Sequence, residues 1–368
     1  MRIVSVSNLK VGDVLAKNIY ASDGRVLLSQ GVALTSGYIA RMVNLGVSKV
    51  YIQDKQLADV SIEEPLTDKT RNAAIQILED ITDTIPVKKD GLMTLNKDEL
   101  DRVSNKFNSA RYIGVVKEIV SELIGNMDVM IHLADMRERS DFLFTHSVTT
   151  TVLSTLCGLG MGLTRKQLDE LATGCLLHDI GFTVIQPELL RKPINTITPE
   201  EAALFRKHSA VGLAIMKKLP GISIPSAYVA SQHHELVDGT GFPNGLKGDQ
   251  IHLYSRILAV SDFFDNLISG KAGKRLLPHQ AYEVVLAQAG TKFDLNVVTS
   301  FVRHIALYPN GSTVLLTTNE TGVVVRQTSS PARPVVRVFR KRVSGDDVDF
   351  KEYDMTKELT IFIKEVID

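Results

Sequence analysis

The stretch CLLHDIGFTVIQ, residues 175–186, sets His178 and Asp179 at the end of an apolar run. A carboxylate buried there is costly unless a cation, a hydrogen-bond donor or a metal meets it. Taken alone, the stretch also fits a helix end with Asp179 exposed. Similar residues recur nearby, however. His146 opens HSVTTTVLSTL, His208 lies in TPEEAALFRKHSAVGLAIMKKL, His233 and His234 are adjacent in SAYVASQHHE, and Asp262 interrupts the apolar face of LYSRILAVSDFFDNLIS. A lone histidine on an apolar face is usually a core residue with one satisfied nitrogen, but five histidines and two aspartates do not share that explanation. Packed together without a cation they would load a core with unpaired polar groups. Neutral imidazoles with carboxylates and no thiolate suit iron, manganese or zinc better than magnesium. Seven ligands exceed the needs of one ion and suit two, with Asp179 the natural bridge because a carboxylate has two oxygens. Two ions about 3.5–4 Å apart can hold a hydroxide and clamp a phosphoryl group for in-line attack.

Helices must position these residues. From Thr70 to about residue 305 apolar residues recur at three-to-four spacing, as in RNAAIQILEDITDTI and ARYIGVVKEIVSELIGNMDVMIHLADM. His178 continues the face marked by Leu168, Leu171 and Cys175. Thr198, Pro199 and Glu201 form a capping box, and the helix that follows carries Leu204, His208, Val211 and Ile215 on one face. Asp262 and Asp265 share a face with Leu258. His233 and His234, as helix neighbours, are expected to diverge by about 100° and to reach two different points of a cavity.

Around this helical region the pattern changes. Residues 1–56 read as a small α/β module with strands in KVGDVLAKNIY and RVLLSQG, a helix from Gly37 capped by Thr35 or Ser36, and a returning strand in SKVYIQD. Residues 57–69 read as a linker. Residues 306–368 form a β-rich unit, with STVLLTT and GVVVRQ joined by the turn NETG and RPVVRVFRK as a further strand. The expected fold is therefore mainly α: a helical metal-binding bundle, residues 70–305, flanked by a small N-terminal α/β module and a small C-terminal β-rich unit.

Composition narrows the functions. Lys plus Arg equals Asp plus Glu at 42 each, so no net field favours a nucleic-acid polymer or an anionic membrane, and an anionic ligand needs a local site. No run reaches the roughly 18–20 apolar residues of a membrane span, and the start has no signal-peptide core, so a cytoplasmic location is expected. Cys157 and Cys175 sit in helical patterns and read as buried, reduced thiols.

The order His, HD, His, HHE-x-x-DG-x-G-aromatic-P, Asp resembles the HD superfamily of metal-dependent phosphohydrolases, specifically its HD-GYP branch. The matching strings are HDIG at 178–181, HHELVDGTGFP at 233–243 and SDFFDNLISG at 261–270. The resemblance covers roughly residues 135–305 and reaches outward to the N-terminal module and the β-rich tail. It implies a cyclic di-GMP phosphodiesterase with a non-haem iron or manganese cluster, other first-row ions such as zinc, nickel or cobalt entering in a preparation, and pGpG or GMP as product. It implies His146, His178, Asp179, His208, His233, His234 and Asp262 as metal ligands, with His178 and Asp179 at the reaction centre. Asp238, Gly241, Phe242 and Pro243 would line the substrate, and Lys271 and Lys274 would meet its phosphates. The oligomeric state, a homodimer included, is left open.

Three positions depart from the family pattern. Phe182 replaces the lysine of HDIGK, Phe242 replaces the tyrosine of GYP, and Phe142 stands where some members place a third-metal Glu, with Asp141 beside it; two ions are therefore expected. Phe182 and Phe242 favour an alternative, a receptor that binds cyclic di-GMP without cleaving it. A general HD nucleotide phosphohydrolase is a third reading.

Overall fold

A computed structural model describes the chain apart from residues 21–25, 62–63, 89–93, 127–141, 191, 193–195, 272, 342–347 and 368. The Asp141 position and the Phe142 side chain lie outside the described residues. The protein is mainly α, and it divides into two compact units.

The first unit joins Met1–Glu64 to Arg303–Asp368. Near the N-terminus β1 (Arg2–Ser5) pairs antiparallel with β4 (Lys49–Ile52), and β2 (Ile19–Tyr20) with β3 (Val26–Leu28). Helix α1 (Ser36–Asn44) is capped by the Thr35 hydroxyl, which accepts from the Tyr38 N–H. The strand expected through KVGDVLAKNIY shortens to β2 and isolated bridges at Val14 and Leu15. The C-terminal strands β5 (Thr313–Leu316), β6 (Thr321–Arg326), β7 (Val335–Lys341), β8 (Val348–Asp354) and β9 (Ile363–Ile367) form an antiparallel sheet in the order β8-β7-β6-β5-β9. Segment 57–69 is more than a tether: Leu57 and Val60 are buried against Val323. Asp59 pairs with Arg337 Nη2 at 2.6 Å.

The second unit, Pro65–Asp128 with Phe142–Val302, is helical and holds all the candidate site residues. Helices α2 (Asp68–Thr82), α3 (Lys97–Lys106) and α4 (Ser109–Gly125) lead into α5 (Phe142–Gly160) and α6 (Arg165–Leu176). After the short α7 (Pro187–Leu190) come α8 (Pro199–Arg206), α9 (His208–Met216), α10 (Ile224–Gln232), α11 (Leu253–Ser269), α12 (Pro278–Leu286) and α13 (Leu295–Phe301). The capping box of Thr198 and Glu201 is present. The single helix expected to follow it is instead two, α8 and α9, separated at Lys207. Among the described residues, no helix is long and apolar enough to cross a membrane.

Two packing devices bring the site together. Helix α5 is rich in Ser and Thr yet buried, because the hydroxyls of Thr149, Thr150 and Thr151 donate back to the carbonyls of Thr145, His146 and Ser147. Its Ser154 hydroxyl donates to Ser261 of α11 at 2.9 Å. At Gly174 in α6 an added Cβ would lie 2.7 Å from the Ser226 carbonyl oxygen and 2.6 Å from Val229 Cγ2, so the α6 backbone packs directly on α10 there. Both cysteines are buried free thiols, and burial pushes each up to about 12.

Candidate metal centre

Asp179 lies at the centre of the histidine group. Its Oδ1 is 3.5 Å from Nε2 of both His208 and His233. Its Oδ2 is 3.4 Å from His178 Nε2 and 4.0 Å from His146 Nε2. The ligand atoms fall into two sets, His146–His178–Asp179 and His208–His233–His234, each within 4.8 Å. Asp262 reaches toward both, with Oδ1 3.0 Å from His146 Nε2 and Oδ2 3.9 Å from His234 Nδ1. All seven residues named from the sequence therefore meet. One expectation is corrected: His233 and His234 do not diverge, their ring centroids being 4.0 Å apart. Helix α10 ends at Gln232, so the 100° step of a helix no longer applies.

Local hydrogen bonds dictate which nitrogens face inward. His178 Nδ1 donates to the Cys175 carbonyl at 2.7 Å, His208 Nδ1 to Phe205 at 2.5 Å and His233 Nδ1 to Val229 at 3.0 Å. Each Nε2 is then left with a lone pair. His208 and His233 Nε2 are 3.2 Å apart, lone pair toward lone pair. His178 Nε2 is buried with no hydrogen-bond partner. Converging lone pairs around a carboxylate are repulsive until a cation sits among them, so this donor set fits divalent metal.

Asp265, grouped with Asp262 from the sequence but given no role, is fully buried and accepts from His146 Nδ1 at 2.7 Å. Such a carboxylate fixes the ring's tautomer and raises its basicity. Asp265→Asn should weaken metal binding by about 10- to 100-fold, measured by competition with a chromogenic chelator.

Charge follows the same division. Burial lowers His178 and His208 to about 4, more than Asp179 raises them. Burial also opposes protonation of His146, but the hydrogen bonds and charges of Asp262 and Asp265 outweigh it and raise the ring to about 9. Despite burial, Asp179 and Asp262 are held below the usual carboxylate range by the imidazoles around them. A pH dependence of the metal-free protein follows. His178 and His208 contribute stability that is complete above about 6.5 and lost as pH falls toward about 4. His146 contributes stability complete below about 6.5 and lost as pH rises through about 9. Each group changes stability by about 1.4 kcal/mol per pH unit within its window. Urea midpoints in EDTA should thus peak near pH 6.5; a midpoint still rising at pH 9 would contradict the assignment.

The HDIG glycine and the GFP loop have structural reasons. An added Cβ at Gly181 would lie 1.9 Å from the His208 carbonyl oxygen. One at Gly241 would lie 2.4 Å from Leu236 N and 2.5 Å from the His234 carbonyl oxygen. Glu235, missed from the sequence although it ends HHE, is buried and accepts from the N–H groups of Asn244 at 2.7 Å and Leu246 at 2.9 Å. Glu235→Ala should cost about 2 kcal/mol by stranding those donors. Hydrogen exchange at Asn244 and Leu246 should quicken with it.

The expected substrate contacts are distributed unevenly. Asp238 is exposed and its carboxylate accepts from the Thr240 N–H and hydroxyl, which shapes the loop. Phe242 stacks on His234, and a cis peptide joins it to the exposed Pro243. Lys271 is exposed with its ammonium 5.7 Å from the Phe182 ring centroid, and Lys274 is exposed.

This helical bundle, in which one aspartate lies between two histidine-rich groups, can be set beside known proteins. Residues 128–297 match the family model described as HD domain, and residues 313–368 match that described as KOW domain associated with HD domain. The segment matched by the HD-domain model contains all seven candidate ligand residues. It is 30% identical over 241 residues to a cyclic di-GMP phosphodiesterase of Pseudomonas aeruginosa, covering 65% of this chain and 58% of that protein. It is 30% identical over 182 residues to a cyclic di-GMP phosphodiesterase of Thermotoga maritima, covering 48% of each. The chain thus spans about half the length of these relatives. Among solved structures it is similar to an HDG"Y"P protein from Bdellovibrio bacteriovorus, with 18% identity, a TM-score of 0.44 and coverage of 81% of this chain and 97% of that one.

Proposed function

We propose that this chain is a metal-dependent phosphodiesterase that hydrolyses cyclic di-GMP to pGpG, GMP or both. The observation that carries the reading is the sharing of Asp179 between two groups of imidazoles whose Nε2 atoms converge on it. His146, His178, Asp179, His208, His233, His234 and Asp262 would hold two divalent ions, iron or manganese by ligand type. When bound, such ions supply Lewis acidity toward a phosphoryl oxygen and make water acidic enough to act as nucleophile near neutral pH.

The chain's own residues do the rest. Neutral His178 and His208 offer lone pairs at pH 7 without first losing a proton. Asp265 keeps the His146 ring turned into the site. Glu235 and Gly241 hold the GFP loop against the His234–Leu236 backbone, which presents the Phe242 face. Lys271 and Lys274 offset phosphate charge as flexible point cations. The names of the relatives supply the substrate.

The test is product formation from cyclic di-GMP by protein purified anaerobically and reconstituted separately with iron and manganese. pGpG or GMP above a metal-free control establishes the activity. Phe182, at the motif lysine's position, favours a second reading, a cyclic di-GMP receptor. Intact substrate with binding measured in the same samples would establish that instead.

A further inference from the structure

Phe182 and Phe242 both depart from the motif, and both make the same kind of contact. Phe182 stacks on His208 with centroids 4.0 Å apart and planes 8° apart, and the Lys271 ammonium lies over the Phe182 ring. Phe242 stacks on His234 at 4.5 Å and 26°, and the guanidinium carbon of Arg206 lies 5.5 Å from the Phe242 centroid. His208 and His234 belong to one three-histidine set, their rings 5.0 Å apart at 78°. Two cation–phenyl–imidazole stacks therefore meet at one end of the site. The face of a phenyl ring attracts a cation, so each phenylalanine that stacks on a histidine also holds a positive charge at its ring.

Arg206 is exposed, and among the described residues no carboxylate pairs with it. Its place in the last turn of α8 suits the helix dipole. The dipole does not account for its contact with the Phe242 ring. A guanidinium left unneutralised, with five donors in a plane, is suited to grip a phosphate through two oxygens.

We infer that Arg206 is a phosphate-binding residue of this site, held by Phe242 as Lys271 is held by Phe182, so that a phosphodiester at the His208–His233–His234 end is gripped by two cations. Phe242 and Phe182 are positioning residues that act through those cations. The inference rests on the phosphodiesterase reading above.

Calorimetric titration of the manganese-loaded chain with cyclic di-GMP and with bis(4-nitrophenyl) phosphate tests it, with metal content measured on every sample. Arg206→Ala should weaken binding by about tenfold or more with metal content unchanged, and Arg206→Lys should restore part of the loss. In turnover, KM should rise more than kcat falls. Phe242→Leu should weaken binding by roughly threefold in the native background and add nothing to Arg206→Ala. Unchanged affinity in Arg206→Ala overturns the inference while leaving the phosphodiesterase reading intact, as does a Phe242→Leu loss that is equal in both backgrounds. Arg206-dependent binding of bis(4-nitrophenyl) phosphate without binding of cyclic di-GMP supports the inference and overturns the substrate. Binding of neither ligand by the native chain overturns both.

Discussion

On the proposed phosphodiesterase reading, replacing Asp179 with Ala should empty both proposed metal positions and lower cyclic di-GMP turnover at least about 1000-fold, since bound ions contribute several kcal/mol of charge stabilisation in the transition state. Asp179 contacts both sets with separate oxygens, and it meets four rings where Asp262 meets two: Oδ1 faces His208 and His233, while Oδ2 faces His178 and His146. Asp179→Asn makes the sharper comparison. An amide keeps the volume but offers one oxygen and no charge, so metal content should fall to about one ion per chain or less. His234→Ala, at the partly exposed edge of one set, should lose a single ion. Metal content by plasma mass spectrometry, with circular dichroism to confirm the fold, reads all three variants. An Asp179→Ala protein that keeps two ions and full turnover would sink the metal-centre assignment.

Gly181→Ala should be the most damaging substitution that removes no functional group. The added methyl would meet the His208 carbonyl oxygen at 1.9 Å and Gly212 N at 2.8 Å, both backbone atoms that no rotamer change can clear. The turn following Asp179 must then retreat from the start of α9, and His178 and Asp179 retreat with it from His208. A loss of about 3 kcal/mol or more is expected, read as a lower urea midpoint, together with weaker metal binding. Gly37→Ala, in exposed α1, is the control. Only the Thr35 hydroxyl lies within 4 Å of its added Cβ, at 3.8 Å, so stability should hold or rise slightly. Equal effects at the two positions would refute the close-approach argument.

How much of this was legible beforehand depends on the range of each interaction. The capping box at Thr198 and Glu201 and the cap at Thr35 were readable because a cap joins residues three apart, which the sequence displays directly. The hairpin of β5 and β6 was readable for the same reason, although its turn falls at residues 317–320 and Thr321 and Gly322 of NETG already pair within β6. Strands β8 and β9 passed unnoticed, since VDFKEYD and IKEVI are outer strands carrying several charges and look like loop. The helix through His208 was expected whole, and its division at Lys207 left no mark in the apolar spacing.

The candidate site divides along the same line. Residue chemistry pointed to the seven candidate ligands, and the family resemblance named the same set, because buried histidines and aspartates at such density lack another way to be satisfied. It did not reveal that His233 and His234 serve one set, which follows from where α10 stops. Nor did it separate Asp265 from Asp262, which share a helix face but meet opposite sides of the His146 ring. Glu235 and Arg206 were silent because their partners lie in other elements: backbone N–H groups of a loop for one, the face of Phe242 for the other. What the sequence by itself determined is the inventory of donors and the local elements that carry them, both governed by chemistry within a few residues. Tertiary packing alone decided which nitrogen, oxygen or ring face each donor meets, since those distances arise between elements far apart along the chain.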